Sequence, residues 1–328
     1  MVEETFLRIL YVSTFYGEVG GGGIVAEGLS KALRNRGHAV TNVYLGKVTK
    51  LGCRVMPYLM FFKVVYNAFK HDLVFSHFHT FTHTTIVSYV CARLARKPII
   101  ARIDDYFYTT RHGWFRLLEM GLQNAILKRC NRVLTVSKDY AERIPIDNIG
   151  VLRNGVDLDL FNPRLYKTSD SAEARSVIFL GVAYAHRGIK RLIEVAKESP
   201  DVSFILLGES EFMDLPSNVK TLQVPHKDVP KILAMSKVAI CSLETNVLNI
   251  GSLPMKATEY IAFNLPIISW KGSLDSHIPY IPVSNLQELQ EAIKRLMDKK
   301  FEYDQTFVKQ FDWKVIAEKL EDVMKELL

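Results

Sequence analysis

The chain has 328 residues, 48% apolar and 23% charged, which is the composition of a folded protein long enough for two domains and excludes a disordered or low-complexity one. Its four cysteines, Cys53, Cys91, Cys130 and Cys241, are too scattered for a CxxC zinc site and too few for a disulfide scaffold, so a reducing compartment is expected. The net charge of +7 is uneven: residues 1–165 hold 22 Lys and Arg against 13 Asp and Glu (+9), whereas residues 166–328 hold 20 against 22, so an anionic partner is expected on the first half.

The first strand, near Phe6–Val12, runs into Gly17-Glu18-Val19-Gly20-Gly21-Gly22-Gly23, and a helical pattern follows over Ile24–Arg36. Gly20, Gly21, Gly22 and Gly23 strip side chains from a strand-to-helix turn, where backbone N–H groups can approach an anion. The spacing is not the dinucleotide fingerprint, and no acidic residue closes the next strand, Val40–Leu45, so NAD is not expected. A strand near Leu73–Ser76 leads to His77, His79 and His83. The HxH pair puts two imidazoles on one face, as polar groups lining a cleft, as structural histidines, or as metal ligands with Asp104 or Asp105; the ligand set is incomplete and no metal is expected. The strand Pro98–Ile103 ends at Asp104 and Asp105, which either bind hydroxyls or move a proton at the sheet edge, or cap a turn and pair with Arg102. Strands near Val133–Val136 and Gly150–Leu152 complete this half.

Two segments between these strands are amphipathic. Tyr58–Lys70 is apolar nearly all round apart from Lys63, Asn67 and Lys70. Arg111–Arg132 is basic, with Trp114, Phe115, Leu117, Leu118, Leu122 and Ile126 as its apolar positions. Either they pack in a core or one rests on an anionic membrane. No apolar run is long enough to span a bilayer and no signal-peptide pattern opens the chain, so a cytoplasmic protein is expected, with a peripheral place on the inner face of a membrane as an option.

The polar stretch Asn162–Arg175 reads as a linker. Beyond it, strands are expected near Val177–Leu180, Val202–Leu207, Val219–Leu222, Val238–Ser242, Pro266–Ser269 and Tyr280–Val283. The first ends at Gly181 and is followed by Arg187-Gly188-Ile189-Lys190-Arg191, a strand-turn-helix with guanidinium groups that suits a diphosphate. Another leads through Gly251, Ser252, Leu253 and Pro254 into a helix carrying Lys256 and Glu259. There Glu259 either chelates vicinal hydroxyls or makes an i,i+3 pair with Lys256. Phe311–Leu328 reads as a closing amphipathic helix. Strands apolar on both faces, alternating with helices twice over, predict two doubly wound α/β domains, residues 1–165 and 166–310, closed by residues 311–328.

In this order the motifs resemble those of the family-4 retaining glycosyltransferases (glycosyltransferase group 1), which have the GT-B fold of two Rossmann-like domains facing a central cleft. Ser13–Gly23 with Arg36-Gly37-His38-Ala39-Val40 is similar to the family's glycine loop and "rGHeV" segment, Asp72–His77 to "DvvhaH", and Val133–Ser137 to "viavS". Val151–Asp157 with Phe161 is similar to "ipNGvD…F", Glu259–Ser269 to "EamAcGkPvias", and Phe311-Asp312-Trp313 with Ala317 to "FsWe.iA".

The resemblance implies a hexosyltransferase that moves a sugar from a nucleotide-diphosphate donor, UDP- or GDP-linked, to a glycan, lipid-linked or other acceptor with retention. It implies no obligatory metal or cofactor and no nucleic-acid partner. Glu259 would hold the ribose and Arg187 the diphosphate, with Lys256, Gly181 and the N–H groups of Gly251, Ser252 and Leu253 assisting. Gly20–Gly23 would approach the phosphates from the acceptor domain, and His77 and Asp104 would line the cleft. The alternatives are an epimerase of the same fold and a non-catalytic glycan-binding homologue. The sequence departs from the family at Val182, where a diphosphate-binding arginine is usual, at Gly251, where the first glutamate of the Glu-x7-Glu motif is expected, and at Asp104, where many members have histidine.

Overall fold

The computed structural model describes residues 6–14, 20–45, 58–78, 83–104, 114–166, 175–183, 187–245 and 250–328. They form two compact units, 1–155 with 313–328, and 156–312.

In the first unit the elements run β1 (Arg8–Ser13), α1 (Gly20–Asn35), β2 (Ala39–Tyr44), α2 (Phe61–Lys70), β3 (Leu73–Phe78), α3 (His83–Leu94), β4 (Ile99–Ile103), α4 (Trp114–Leu127), β5 (Arg132–Thr135), α5 (Lys138–Glu142) and β6 (Ile149–Val151). The six strands make one parallel sheet in the order β2-β1-β3-β4-β5-β6. In the second unit they run β7 (Ser176–Leu180), α6 (Ile189–Lys197), β8 (Ser203–Leu207), β9 (Val219–Leu222), α7 (Val229–Leu233), β10 (Val238–Ile240), α8 (Met255–Ala262), β11 (Ile267–Trp270), β12 (Ile281–Val283), α9 (Leu286–Met297) and α10 (Gln305–Lys309). Their sheet, again parallel throughout, has the order β12-β11-β10-β7-β8-β9. Each of the twelve strands lies where hydrophobic runs placed it. The central ones, such as β4 and β10, are buried at every residue, as strands covered by helices on both faces must be.

Helix α11 (Trp313–Lys325) belongs to the first unit and packs on α1. The crossover between units falls at Gly155–Val156, ahead of the polar stretch at which sequence reading divides the domains. The Val156 N–H donates to the Phe311 carbonyl at 2.7 Å, so the outgoing and returning strands of chain leave and re-enter side by side. From there Trp313 drops into a notch made by two absent side chains: a Cβ on Gly28 of α1 or on Gly155 would overlap its indole. Farther along the helix, Glu321 accepts from Arg36 of α1 and from Lys325, both at 2.5 Å. Burial alone would push its carboxyl up, but these two cations hold it down at about 2.

The glycine run departs from its sequence reading. Helix α1 begins at Gly20, not Ile24, so Gly20–Gly23 form the first helical turn. A first turn tolerates glycine because its N–H groups have no intrahelical partners to lose, and the buried Gly22 and Gly23 take up no space where the helix meets its surroundings. Cys91, Cys130 and Cys241 are free and buried, and burial pushes their thiols up to about 12, 12 and 11, which leaves them inert; Cys53 lies outside the described residues.

Gly155→Ala is expected to lower stability by about 1–3 kcal/mol through overpacking against the rigid indole. Gly121→Ala, on an exposed turn of α4 with nothing near its Cβ, is expected to raise it by about 0.5–1 kcal/mol through helix propensity alone. Urea denaturation of the two variants measures both signs.

Candidate functional site

In each unit the candidate residues gather at the C-terminal edge of the sheet, where doubly wound folds place ligands.

In the first unit the registers set the pattern. Ser13 of β1 pairs with His77 of β3, and His77 with Arg102 of β4. Tyr11, two residues back on β1, lies diagonal to His77 and brings its hydroxyl to 3.0 Å from Nδ1. The other ring nitrogen, Nε2, lies 3.0 Å from Asp104. Both imidazole nitrogens therefore have partners within the sheet edge; His79 and Asp105 lie outside the described residues, and so does the side chain of His83. Asp104 also accepts from Arg102 Nε at 3.1 Å, and Arg102 Nη2 donates to Asn154 Oδ1 at 2.5 Å. Arg102 is wholly buried. A cation there is tolerated only when paired, and its partners are one carboxylate and one amide. The chain Tyr11–His77–Asp104–Arg102–Asn154 thus fixes the carboxylate of Asp104 on two sides. Burial pushes the Tyr11 hydroxyl well above its usual range, so it keeps its proton.

In the second unit, Tyr260 of α8 ties strand ends together: its hydroxyl accepts from the Leu180 N–H at 2.7 Å and donates to the Ile240 carbonyl at 3.2 Å. This fixes α8 against β7 and β10. One turn earlier, Lys256 lays its Nζ 3.9 Å from the centroid of the Phe179 ring, below the Gly181 turn that ends β7. Burial, together with the neighbouring Arg187 charge, lowers the Lys256 ammonium to about 8. Arg187 itself is exposed. Gly188 caps α6 with φ +76°, and a Cβ there would strike the Leu243 carbonyl, so only glycine lets this helix start approach the end of β10. Glu259 is 2% exposed, and its Oε1 lies 2.7 Å from Nε2 of His226, whose ring packs at 5.3 Å on Phe161. Sequence reading offered an i,i+3 pair of Glu259 with Lys256 as the bland alternative; the partner of Glu259 is His226.

The structure brings Gly181, Arg187, Lys256 and Glu259 to one sheet edge. The loop before α8 is different. Gly251 (φ +65°) donates its N–H to the Gly272 carbonyl at 2.9 Å, so that group serves the loop's own fold, and the Ser252 carbonyl accepts from Asp275. Glu244 is paired with Arg191, which also lies over Trp270. Val182 is exposed. Sequence reasoning missed Tyr11, Asn154, Tyr260 and His226. The first three act through register and α8 packing, and His226 sits on a short 3₁₀ turn with no motif of its own; only its position after a strand end hinted at a site.

No family model and no curated protein matches the sequence. Solved structures do. HepE of Anabaena in complex with UDP superposes with a TM-score of 0.73 at 16% identity, covering 98% of this chain and 100% of that one. The fold is GT-B. An alpha-glucosyltransferase in complex with UDP and a 13-mer DNA containing an HMU base gives 0.69 at 14% identity, over 98% and 100% of the two chains. The UDP-GlcNAc 2-epimerase from Methanocaldococcus jannaschii gives 0.57 at 11%, over 97% and 99%. Identities this low carry the architecture and leave the chemistry to the site.

Replacing Arg102 with Met is expected to cost about 3–5 kcal/mol, because Asp104 is then a buried carboxylate without its cation. The double variant Arg102→Met/Asp104→Asn is expected to cost clearly less than the sum of the two single changes. Chemical denaturation of the set reads out the coupling.

Proposed function

We propose that this protein is a retaining glycosyltransferase of the family-4 type, a hexosyltransferase that moves a sugar from a nucleotide-diphosphate donor to a glycan or lipid-linked acceptor. The observation that carries the reading is on α8: an ammonium held near pKa 8 and a buried carboxylate, one turn apart, at the C-terminal edge of β7 and β10. That pair matches the two ends of a nucleotide diphosphate, a charged bridge and a vicinal diol. Structural neighbours with the same architecture hold UDP, which favours a UDP-linked donor.

In this reading Lys256 and Arg187 neutralise the diphosphate as the glycosidic bond to it breaks and negative charge collects on its oxygens, the kind of preorganised stabilisation that lowers such barriers most. The N–H groups of Ser252 and Leu253 add donors. Glu259 accepts from the ribose hydroxyls, and His226 fixes its rotamer. Asp104, held by Arg102 and His77, lines the acceptor side. Lys256 and Arg187 carry the charge compensation, so no metal is required. One neighbour is an epimerase, and epimerisation needs no acceptor, so turnover of a nucleotide sugar without added acceptor separates the two reactions. Another neighbour is bound to DNA; here the exposed apolar side chains of the first unit, such as Phe62 and Leu117, favour a lipid-linked acceptor over nucleic acid.

A panel of UDP-, GDP- and ADP-sugars tests the donor. At a ligand concentration of 100 times Kd, stabilisation of about 2.7 kcal/mol is expected, read as a rise in Tm that persists in EDTA. Glu259→Gln is expected to weaken donor binding about 10- to 100-fold. If no nucleotide sugar stabilises the protein, the reading fails. The pH profile gives a second check. A lysine whose pKa is lowered to about 8 loses its charge as pH rises through 8, so affinity for a nucleoside diphosphate is expected to fall between pH 7 and 9, by at most about tenfold per pH unit. Calorimetric titration should show this slope in the wild type and a flat profile in Lys256→Met.

A further inference from the structure

Three helices of the first unit lie on one side of its sheet. Val64 and Ala68 of α2, Val87, Cys91, Ala92 and Ala95 of and after α3, and Ile126 and Leu127 of α4 share one core with β1, β3 and β4. The other side of each helix should then be polar, as it is on α9, where Gln287, Glu288, Glu291, Lys294 and Arg295 face outward. It is not. On and just before α2, Leu59, Phe62, Tyr66 and Phe69 recur at intervals of three and four residues, a single stripe opposite Val64 and Ala68, and Phe62 is 80% exposed. On α4 the same holds for Trp114, Leu117, Leu118 and Leu122, with Leu117 74% exposed, and α3 between them adds Val90 and Leu94. Exposed aromatic and leucine side chains on three neighbouring helices of one layer make a patch that a freely soluble surface does not normally carry.

The charges beside the patch identify what covers it. Helices α2 and α3 contain no acidic residue. Lys63 and Lys70 flank the aromatic stripe, Arg93 and Arg96 end α3, and Lys128 and Arg129 end α4, all exposed. Lys70 reaches back to the Tyr66 hydroxyl and sits 3.9 Å over that ring, the posture of a cation whose stem follows an apolar surface. A second copy of the chain docked here would bring the same cations face to face. An aromatic stripe rimmed by cations and free of carboxylates on two of its helices instead complements acyl chains beneath anionic headgroups. No described helix is long and apolar enough to cross a membrane, so the contact is one of lying on the bilayer.

We propose that the outward side of α2, α3 and α4 docks the protein on an anionic lipid bilayer. The inference uses only the surface of the first unit and does not depend on the donor reading, so vesicle binding and nucleotide-sugar binding fail or succeed separately.

Co-sedimentation of the full chain with phosphatidylcholine vesicles, with and without phosphatidylglycerol, tests it. Binding is expected to the phosphatidylglycerol vesicles and to weaken with salt, because the headgroup attraction is screened. Phe62→Ser/Phe69→Ser and Lys63→Glu/Lys70→Glu are each expected to lower binding at least about tenfold, with thermal unfolding unchanged because all four side chains are exposed. Met213→Ser, 90% exposed in the second unit, is the control that leaves binding unchanged. No binding to phosphatidylglycerol vesicles at low salt overturns the proposal, and so does undiminished binding by Phe62→Ser/Phe69→Ser. A lipid-free dimer that this same variant dissolves would overturn it in favour of a second copy.

Discussion

A buried guanidinium organises the first unit. Arg102 is fully buried at the C-terminal end of β4, and a charge so placed is strongly destabilising unless it is paired. It is paired with Asp104 on its own strand and with Asn154 beyond β6, and through Asp104 it is linked to His77 and Tyr11. Four strand ends are thereby referred to one cation. Asn154 carries the constraint further, because the next residue, Gly155, is the wall of the notch that holds Trp313. The position of the closing helix is thus set by the same short stretch of chain that satisfies the buried arginine.

The second unit uses a neutral device for the same task. The Tyr260 hydroxyl, both accepting and donating, joins the ends of β7 and β10 to α8 without burying a charge. Lys256 and Glu259 of the same helix meet other partners: an aromatic ring below the lysine and an imidazole beside the glutamate. A tyrosine hydroxyl that ties strand ends and two charged side chains with partners of their own thus share the eight residues of α8.

How far the sequence discloses this differs by kind of feature. Strands of the type Val177–Leu180 announce themselves, since a run apolar on both faces has few other uses, and the two sheets follow from their alternation with helices. Gly181, Arg187, Lys256 and Glu259 are likewise legible, because strand-end glycines and charges on helix starts occupy fixed places in such folds. What stays hidden depends on register or on partners distant in sequence. Nothing local in Tyr11 points to His77, and His226 meets Glu259 only because a 3₁₀ turn after β9 swings it there. The glycine run misleads for a related reason: four glycines look like a loop, yet a helix can begin on them when its first N–H groups have nothing to bond in any case. The outward stripe of α2 is visible as amphipathicity of the wrong extent, but only the core shows which of its two apolar faces is already covered.

The adjacent exit and return of the chain at Val156 and Asp312 have a consequence for biosynthesis. The second unit is an insertion in the first, complete in itself between those two residues. As the polypeptide leaves the ribosome, residues 156–312 emerge before Trp313, while the first unit waits for residues 313–328 to fill its glycine notch. The inserted unit therefore emerges whole before the first is sealed, and the notch beside α1 stays unfilled until Trp313 follows. A released chain truncated just before Trp313 would present a finished second unit and an unsealed first one to the chaperones that receive it.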